Sequence, residues 1–378
     1  MCSVALSTRT CYRALRFVNK DSFHFGCALP STVVRSLSTA PLLKDINQPL
    51  KQWSLEVSPF SKVNAKLRCD LSVRPLDPHA FPEADRAFIS VHGTNADHEF
   101  KLDDLHVHYS DQNQELLIHG DKVTSNVSVE LIAPIKSDLF ITTTGGGNVN
   151  IQKMESDVCK VQTDTGNCTL TSIRSHKLDV LSAGGNIIGF GTIHANVDVC
   201  AKEGSVNIKK IQGSFMNVST DQGQLKVKAI YAESSKVSSS SGEIQLGHIH
   251  GDASVQNETG DVNVDSSSGA LTILTSSGNI DAYVGERGTA NLITQQGSVS
   301  VRVPASMKVG VQLSGASVKI SPDIKLHEGQ HESTDSNTTV TGTLNGPSAG
   351  EQWIKVEAKK GSINLRPQSW FESLRLEK

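Results

Sequence analysis

A glycine recurs at almost constant spacing through much of this 378-residue chain, and no other feature constrains the fold as strongly. Each of these glycines precedes a short alternating apolar pair, and successive copies are 18 or 19 residues apart. The regular copies are Gly147, Gly166, Gly185, Gly204, Gly223, Gly242, Gly260, Gly278 and Gly297. A degenerate copy follows near Gly315, and a last one stands at Gly361. Such spacing predicts a chain of stacked structural repeats.

The residues around each glycine alternate between apolar and polar side chains. In one repeat, Val199 stands five places before Gly204, and Val206 and Ile208 stand two and four places after it. This period of two is typical of β-strands on both sides of a turn. A glycine is expected at the corner because the backbone there needs a positive φ or the close approach of another backbone.

One repeat of this kind has too little apolar surface to fold alone. Stacked copies, about 4.8 Å apart, would align the valines and isoleucines of successive repeats into one continuous core. We therefore predict an all-β fold, a right-handed β-solenoid of about ten rungs of 18–19 residues. The low aromatic content, 5% of the residues, fits a thin aliphatic core.

The predicted solenoid spans residues 136–366, and its two ends should be covered because open ends aggregate. We assign residues 48–135 to an amino-terminal β region that merges into the rod. Residues 367–378 carry a capping-box pattern and are predicted to form a carboxy-terminal cap helix. The polar residues 321–350, rich in Gly, Ser and Thr, are interpreted as a loop insertion.

Residues 1–37 have the profile of a mitochondrial targeting segment, because they are rich in Arg and Ser and nearly free of acidic side chains. On a helix, the basic residues fall on one face: Arg9, Arg13, Arg16 and Lys20. Arg35, Leu37 and Ser38 match the pattern of a matrix processing site, which places the cleavage after Leu37. Residues 38–47 then form a linker. The alternative for this segment is a disordered basic tail.

The charge and the cysteines exclude several classes of function. Outside residues 1–44 the chain carries 30 basic and 38 acidic side chains, a net charge of −8, which argues against nucleic acid as a partner. No run of 18 apolar residues is present, so no transmembrane span is expected. Seven cysteines without a Cys-x-x-Cys pair predict neither a disulfide framework nor a zinc site. We expect no metal and no cofactor.

Two groups of residues have the right type for chemistry. Glu243 and Asp261 occupy the same position in neighbouring repeats, so their carboxylates would lie about 5 Å apart, as in a retaining glycosidase. Asn, Ser or Gln fills this position elsewhere, so a turn role suffices, and we predict no catalytic residue. His106 and His108 would lie on one strand face, a spacing that suits a metal, but no third ligand follows at a fixed spacing. We interpret them as solvent-facing.

The repeat unit Val-x-Thr-x-x-Gly-x-Val-x-Val and the closing segment Ile354–Leu365 resemble the bacterial putative-adhesin domain of unknown function. The resemblance covers about residues 125–366. It implies a β-solenoid and provides no catalytic motif to place on this chain. With its amino-terminal segment included, the whole chain is similar to the vertebrate "family with sequence similarity 185", and this resemblance implies a mitochondrial location.

These observations predict a non-enzymatic binding or scaffold protein of the mitochondrion with a protein partner that the sequence does not identify. The alternatives are a carbohydrate-active β-helix enzyme and a surface adhesin. Five Asn-x-Ser/Thr sequons become glycan acceptors only in a secreted chain, and otherwise are expected to be unused turn and surface residues: Asn126, Asn167, Asn217, Asn257 and Asn337. A glycan at Asn217 or Asn257 would favour the adhesin.

The targeting hypothesis predicts that the mature protein begins at Ser38. Amino-terminal sequencing of the protein from its native cells, together with proximity labelling by the full-length chain, checks both the cleavage and the compartment. A chain that retains Met1, or a glycosylated secreted product, would contradict the mitochondrial address.

Overall fold

Parallel strand pairing at a fixed offset along the chain organises the computed structural model of this protein. The structure describes residues 49–93, 104–120, 126–334, 337–346 and 352–368. All of them lie in one unit, Asn47–Lys378. The predicted targeting segment 1–37, the linker 38–47 and residues 369–378 of the predicted cap helix lie outside the described residues.

Every regular element of the described residues is a β-strand, and this part of the chain contains no α-helix. The first strands are β1 (Lys51–Glu56), β2 (Lys62–Leu67), β3 (Asp70–Pro75), β4 (Arg86–Gly93), β5 (His106–Ser110), β6 (Glu115–Gly120), β7 (Val127–Ala133), β8 (Asp138–Thr143) and β9 (Val149–Gln152). The central strands are β10 (Glu155–Thr163), β11 (Cys168–Thr171), β12 (Arg174–Ser182), β13 (Ile187–Glu203), β14 (Val206–Gln212), β15 (Phe215–Gln222), β16 (Leu225–Ser241), β17 (Ile244–Thr259), β18 (Val262–Ser267), β19 (Ala270–Ser277), β20 (Ile280–Val284), β21 (Thr289–Gln296) and β22 (Val299–Val303). The last strands are β23 (Gly310–Ile320), β24 (Leu326–Ser333), β25 (Thr338–Leu344) and β26 (Trp353–Pro367).

The strands of one repeat pair in parallel with the equivalent strands of the next repeat. Each repeat therefore forms one layer of the stack, which we call a rung. Before the glycine, Val161 lies in register with Val180, which lies in register with Val199. After the glycine, Ile187 lies in register with Val206. The predicted apolar positions therefore form buried columns, and the fold is all-β and β-solenoid-like, as expected.

The stacked strands begin earlier in the chain than residue 136. Val63 of β2 is in register with Leu139 of β8, and Leu71 of β3 is in register with Val149 of β9. On their other side, β2 pairs with β6 and β3 pairs with β7, also in parallel. Part of the predicted amino-terminal β region therefore belongs to the stack, and its first rung is inserted between two later ones.

The carboxy-terminal end shows the same interleaving. Strand β26 lies between β21 and β22 on one side and β23 on the other, although β23 precedes it in sequence. The segment 321–350, which the sequence indicated as a loop, contains β24 and β25. Strand β25 pairs antiparallel with β23 and buries Val340 and Leu344 against the core.

Strand β24 pairs only with β25 in the described part of the chain, so its other side is a sheet edge. A register shift interrupts this strand between His327 and Gln330, and Glu328 has a positive φ of 53°. Charged residues and a bulge of this kind protect an edge from pairing with other chains. The strand therefore ends the sheet at this side of the carboxy-terminal region.

The repeat glycines stand where the backbones of successive rungs come closest. A Cβ atom added to Gly223 would lie within 3.0 Å of the carbonyl oxygen of Gly204, and the same relation holds from Gly166 to Gly297 and at Gly361. Gly223 also has a φ of 131°. In the first rung Cys69 occupies the equivalent position, beneath Gly147. Close backbone approach, joined by positive φ in later rungs, therefore requires glycine at this corner.

In several rungs, the side chain after the glycine forms a hydrogen bond to the backbone of the next corner. The Asn148 side-chain oxygen accepts a hydrogen bond of 2.9 Å from the backbone N–H of Asn167, and Asn167 accepts one of 2.9 Å from Asn186. Asn186 continues the series by accepting from Ser205 at 2.8 Å. Each such bond contributes about 0.5–1.5 kcal/mol net to stability. The asparagines therefore form a structural ladder along the corner.

The fold predicts that replacing a glycine by alanine lowers stability where the neighbouring rung lies close, and has little effect where the space is open. Gly278→Ala would press a methyl group against the carbonyl of Gly260 and should lower the free energy of unfolding by about 1–3 kcal/mol. Gly146 has open space around its Cα, so Gly146→Ala should change stability by less than about 0.5 kcal/mol. Urea unfolding of both variants checks this, and equal midpoints would contradict the close-approach account.

Candidate functional site

A continuous groove lies on the strands that precede the glycine corner. It has a volume of about 540 Å³ and crosses β15, β16, β17, β19, β21 and β26. We call it the serine-rich groove. Its first column, four places before the glycine, consists of Ser219, Ser238, Gln256, Leu274, Ile293 and Glu357. Its second column, two places before the glycine, consists of Asp221, Ser240, Glu258, Ser276, Gln295 and Lys359.

Strand alternation places these side chains outside. Successive side chains of a strand point to opposite faces, so Val218 is buried, Ser219 faces outward and Thr220 is buried again. Ser219 is in register with Ser238, and Ser238 with Gln256. Equivalent outward residues of successive rungs therefore line up along the stack, and the groove runs in that direction.

A buried column lies beneath the groove, three places before the glycines, and it is polar in five of the six strands: Thr220, Ser239, Asn257, Thr275 and Thr294, with Ala358 in β26. The Thr294 hydroxyl donates to the carbonyl of Gly278 at 3.0 Å. The Asn257 side-chain amide donates to Gly260 O at 2.8 Å and to Gly242 O at 3.1 Å. These bonds tie the strands under the groove to the glycine corner. The threonine of the Val-x-Thr-x-x-Gly unit was the sequence signal for this column, and its role follows from the stacked geometry.

The groove is acidic and has a small apolar centre. Asp221, Glu258 and Glu357 line it, and Lys359 is the one basic side chain among its described lining residues. Leu274 is 37% exposed and contacts solvent in the middle of the first column. The groove presents hydroxyl, amide and carboxylate groups along a shallow surface. Its described lining residues include no acid–base pair that is shielded from solvent.

Glu243 and Asp261 lie outside this groove, at the corner itself. The Glu243 carboxylate accepts hydrogen bonds of 2.8 Å from the side-chain amides of Gln245 and Asn263. Asp261 accepts a bond of 2.8 Å from the backbone N–H of Asn279, as the asparagines of the ladder do. Both carboxylates are therefore engaged in holding successive rungs together, in line with a turn role.

His106 and His108 are both exposed on β5, and His119 of β6 lies in register opposite His106. Among the described residues, no group of three or more His, Cys, Asp or Glu side chains has the arrangement needed to hold a metal ion. Within the same residues, no helix is both long enough and apolar enough to cross a membrane.

A second groove lies at the amino-terminal end of the stack and has a volume of about 590 Å³. It is lined by Phe60, which is 71% exposed, and by Lys136, Glu155, Arg174 and His194. Glu155 pairs with Lys136 at 3.1 Å and with Arg174 at 3.5 Å. These charges satisfy one another at the surface, where such pairs contribute about 0–1 kcal/mol.

One sequon, predicted from the sequence to lie in a turn or at the surface, is buried. Asn257 is 3% exposed, and its side-chain nitrogen, the atom that would carry a glycan, donates to two glycine carbonyls. The burial follows from its place in the column three positions before Gly260. Asn217 is partly exposed, and its side-chain nitrogen donates to Asp198 at 2.9 Å. A glycan at Asn257 would therefore require an unfolded corner.

The predicted site residues fall into two groups, the repeat glycines and the residues of the targeting segment. The repeat glycines build the corner beside the groove and do not line it. The basic residues Arg9, Arg13, Arg16 and Lys20 and the cleavage residues Arg35, Leu37 and Ser38 lie outside the described residues. The groove itself was missed because its outward residues vary from rung to rung between Ser, Gln, Leu, Ile and Glu.

Comparison with known proteins places the groove within a recognisable segment. Residues 191–366, slightly less than half of the chain, match the family model described as Toastrack DUF4097. A putative adhesin from Parabacteroides distasonis is 16% identical, with 66% of this chain and 96% of that chain covered and a TM-score of 0.41. A putative adhesin from Bacteroides fragilis is 14% identical, with 84% of this chain and 96% of that chain covered and a TM-score of 0.32. A putative adhesin from Parabacteroides merdae is 16% identical, with 68% of this chain and 97% of that chain covered and a TM-score of 0.34.

The cysteines of the stack differ in their predicted reactivity. Burial raises the pKa of Cys69 and of Cys159 to about 12, and burial also raises the pKa of Cys168. Since the thiolate is the reactive form, these three thiols should stay unmodified by iodoacetamide in the native protein at mildly alkaline pH. Cys200, which is partly exposed, should be alkylated. Peptide mapping by mass spectrometry checks this, and modification of Cys159 at the rate of Cys200 would contradict it.

Proposed function

We propose that this protein is a non-enzymatic, adhesin-like binding protein whose ligand lies in the serine-rich groove. The observation that carries the proposal is the continuity of the groove, because its first outward column keeps its register over six strands and the second column follows two residues later on each of these strands. Extended grooves on repeat proteins are suited to extended ligands. The Toastrack match, which includes the groove, supports the adhesin alternative more than a mitochondrial scaffold.

The proposed scaffold is a right-handed solenoid of about ten rungs. Connections between parallel strands of one sheet are right-handed in about 98% of cases, which supports this hand. The spacing of the repeat glycines supports the number of rungs. The mitochondrial address remains a separate proposal that rests on residues 1–37 alone.

A carbohydrate-active enzyme is the less supported alternative. Catalysis by two carboxylates needs one of them protonated and facing the scissile bond. Glu243 and Asp261 instead accept hydrogen bonds from neighbouring rungs, and neither lines the groove. Binding without chemistry therefore accounts better for the described residues.

Two leucines at the same position of different rungs allow a matched test. Leu274, in the groove, and Leu181, outside it, are 37% and 38% exposed and both stand four places before a repeat glycine. Leu274→Lys would place a long charged side chain across the groove and should reduce binding at least about tenfold, a loss of 1.4 kcal/mol. Leu181→Lys should leave it unchanged.

The measurement is the binding of fluorescently labelled full-length chain to a printed array of glycans and peptides. The proposal expects the wild type and Leu181→Lys to bind the same spots and Leu274→Lys to lose them. Binding that survives Leu274→Lys, or a wild type that binds nothing on the array, would count against the groove as the binding site.

A further inference from the structure

We infer that the ligand of the serine-rich groove is an extended polysaccharide of neutral or amino-bearing sugars that runs along the stack, one sugar to each rung. This inference rests on the proposed function and adds the chemical class of the ligand. It follows from the backbone pairing under the groove, the side chains in it, their spacing and their charge.

The backbone under the groove leaves little for a peptide to bind. A peptide strand gains affinity by adding to a free sheet edge through main-chain hydrogen bonds. The strands of the groove are paired with the rung on each side, from β15 with β16 to β21 with β26. A peptide laid along the stack would cross these strands and find side chains alone.

The lining also differs from a protein interface. Such interfaces are enriched in Tyr, Trp, Phe and Arg and depleted in Ser, Asp, Glu and Lys. The described lining residues of the groove include no aromatic residue and no arginine, and five of them are serines. Hydroxyl, amide and carboxylate groups are instead suited to exchanging hydrogen bonds with sugar hydroxyls.

The spacing of these groups matches an extended sugar chain. Adjacent rungs lie about 4.8 Å apart, which is close to the length that one pyranose adds to a β-1,4-linked chain. Each rung presents one residue of each column, so successive sugars meet equivalent positions, as at Ser238, Gln256 and Leu274. Leu274 and Ile293 provide an apolar contact for the face of a sugar ring in the middle of the groove.

The charge of the groove selects among polysaccharides. Asp221, Glu258 and Glu357 give three carboxylates against the single ammonium of Lys359. Like charges brought together across an interface are costly, so uronic acids and sulfated sugars are disfavoured. A protonated amino sugar would gain an attraction in the same place.

The experiment compares three β-1,4-linked oligomer series of increasing length by isothermal titration calorimetry with the full-length chain at mildly acidic pH. The series are glucosamine, glucose and mannuronate oligomers. We expect affinity to increase up to about six sugars, one for each of the six strands of the groove, and then to level off. Glucosamine oligomers should bind tightest and mannuronate oligomers weakest. Affinity independent of length, or tightest for mannuronate, would overturn the inference.

Glu258→Gln removes one charge of the groove without changing its size. It should weaken glucosamine oligomers about fivefold, as expected for one exposed charge pair, and leave glucose oligomers within about twofold. Glu233→Gln, an exposed site outside the groove, serves as the control and should change neither series. Array binding that is lost in Leu274→Lys without any binding of the three oligomer series would overturn the inference and leave the proposed function standing.

Discussion

The contact on which the whole structure depends is the approach of each repeat glycine to the backbone carbonyl of the corner residue one rung away, which is Cys69 for Gly147 and a glycine from Gly166 to Gly297. It brings the backbones so close that a side chain at this corner would collide with the neighbouring rung. Strands on both sides of the corner can then pair in parallel and in register. The buried Val and Ile columns, the asparagine ladder and the outward columns of the groove all follow from that register. The corner recurs every 18–19 residues, and each rung contacts the rung on either side of it. A destabilising change in one rung therefore also weakens its contacts with these two neighbours.

The ends of the stack show how the chain protects a repeat architecture. The first strands of the parallel stack, β2 and β3, and the last strand of the described residues, β26, lie between other rungs and do not form the outer layers of the stack. Detaching any of these three strands requires breaking strand pairs on both of its sides. Near the carboxy-terminal end, Arg302 adds a further tie: it is 2% exposed, bonds Asp281 at 2.6 Å and also donates to Val264 O and Gln368. Removing Asp281 would leave the buried Arg302 charge without its carboxylate, a loss of about 3–5 kcal/mol, so Arg302 ties β20, β22 and Gln368 together.

The regular rungs could be predicted from the sequence because their signal is local. The pattern formed by Val199, Gly204 and Val206 in one repeat returns at the same spacing in the others. The interleaved ends could not be predicted, because the pairing of Val63 with Leu139 joins segments 76 residues apart and has no periodic signature. Composition also concealed β25, whose Thr-rich sequence was interpreted as a loop although Val340 and Leu344 are buried. For the groove, the sequence predicted which positions face outward. It did not indicate which rungs form a binding surface, since outward residues are free to vary.

The most direct test of this account measures the register between adjacent rungs. Cys200 is in register with Ser219, and Ser219 with Ser238, so positions 200 and 219 should be about 4.8 Å apart and positions 200 and 238 about twice that. Nitroxide labels would be placed on Cys200 and on a Ser219→Cys or Ser238→Cys variant of a chain whose Cys2, Cys11 and Cys27 are replaced by serine. If the rungs are stacked in this register, the first pair should show strong spin–spin broadening of the electron paramagnetic resonance spectrum, and the second pair should show clearly weaker broadening. Equal broadening for both pairs, or stronger broadening for the second, would contradict the stacked register from which the fold and the groove are derived.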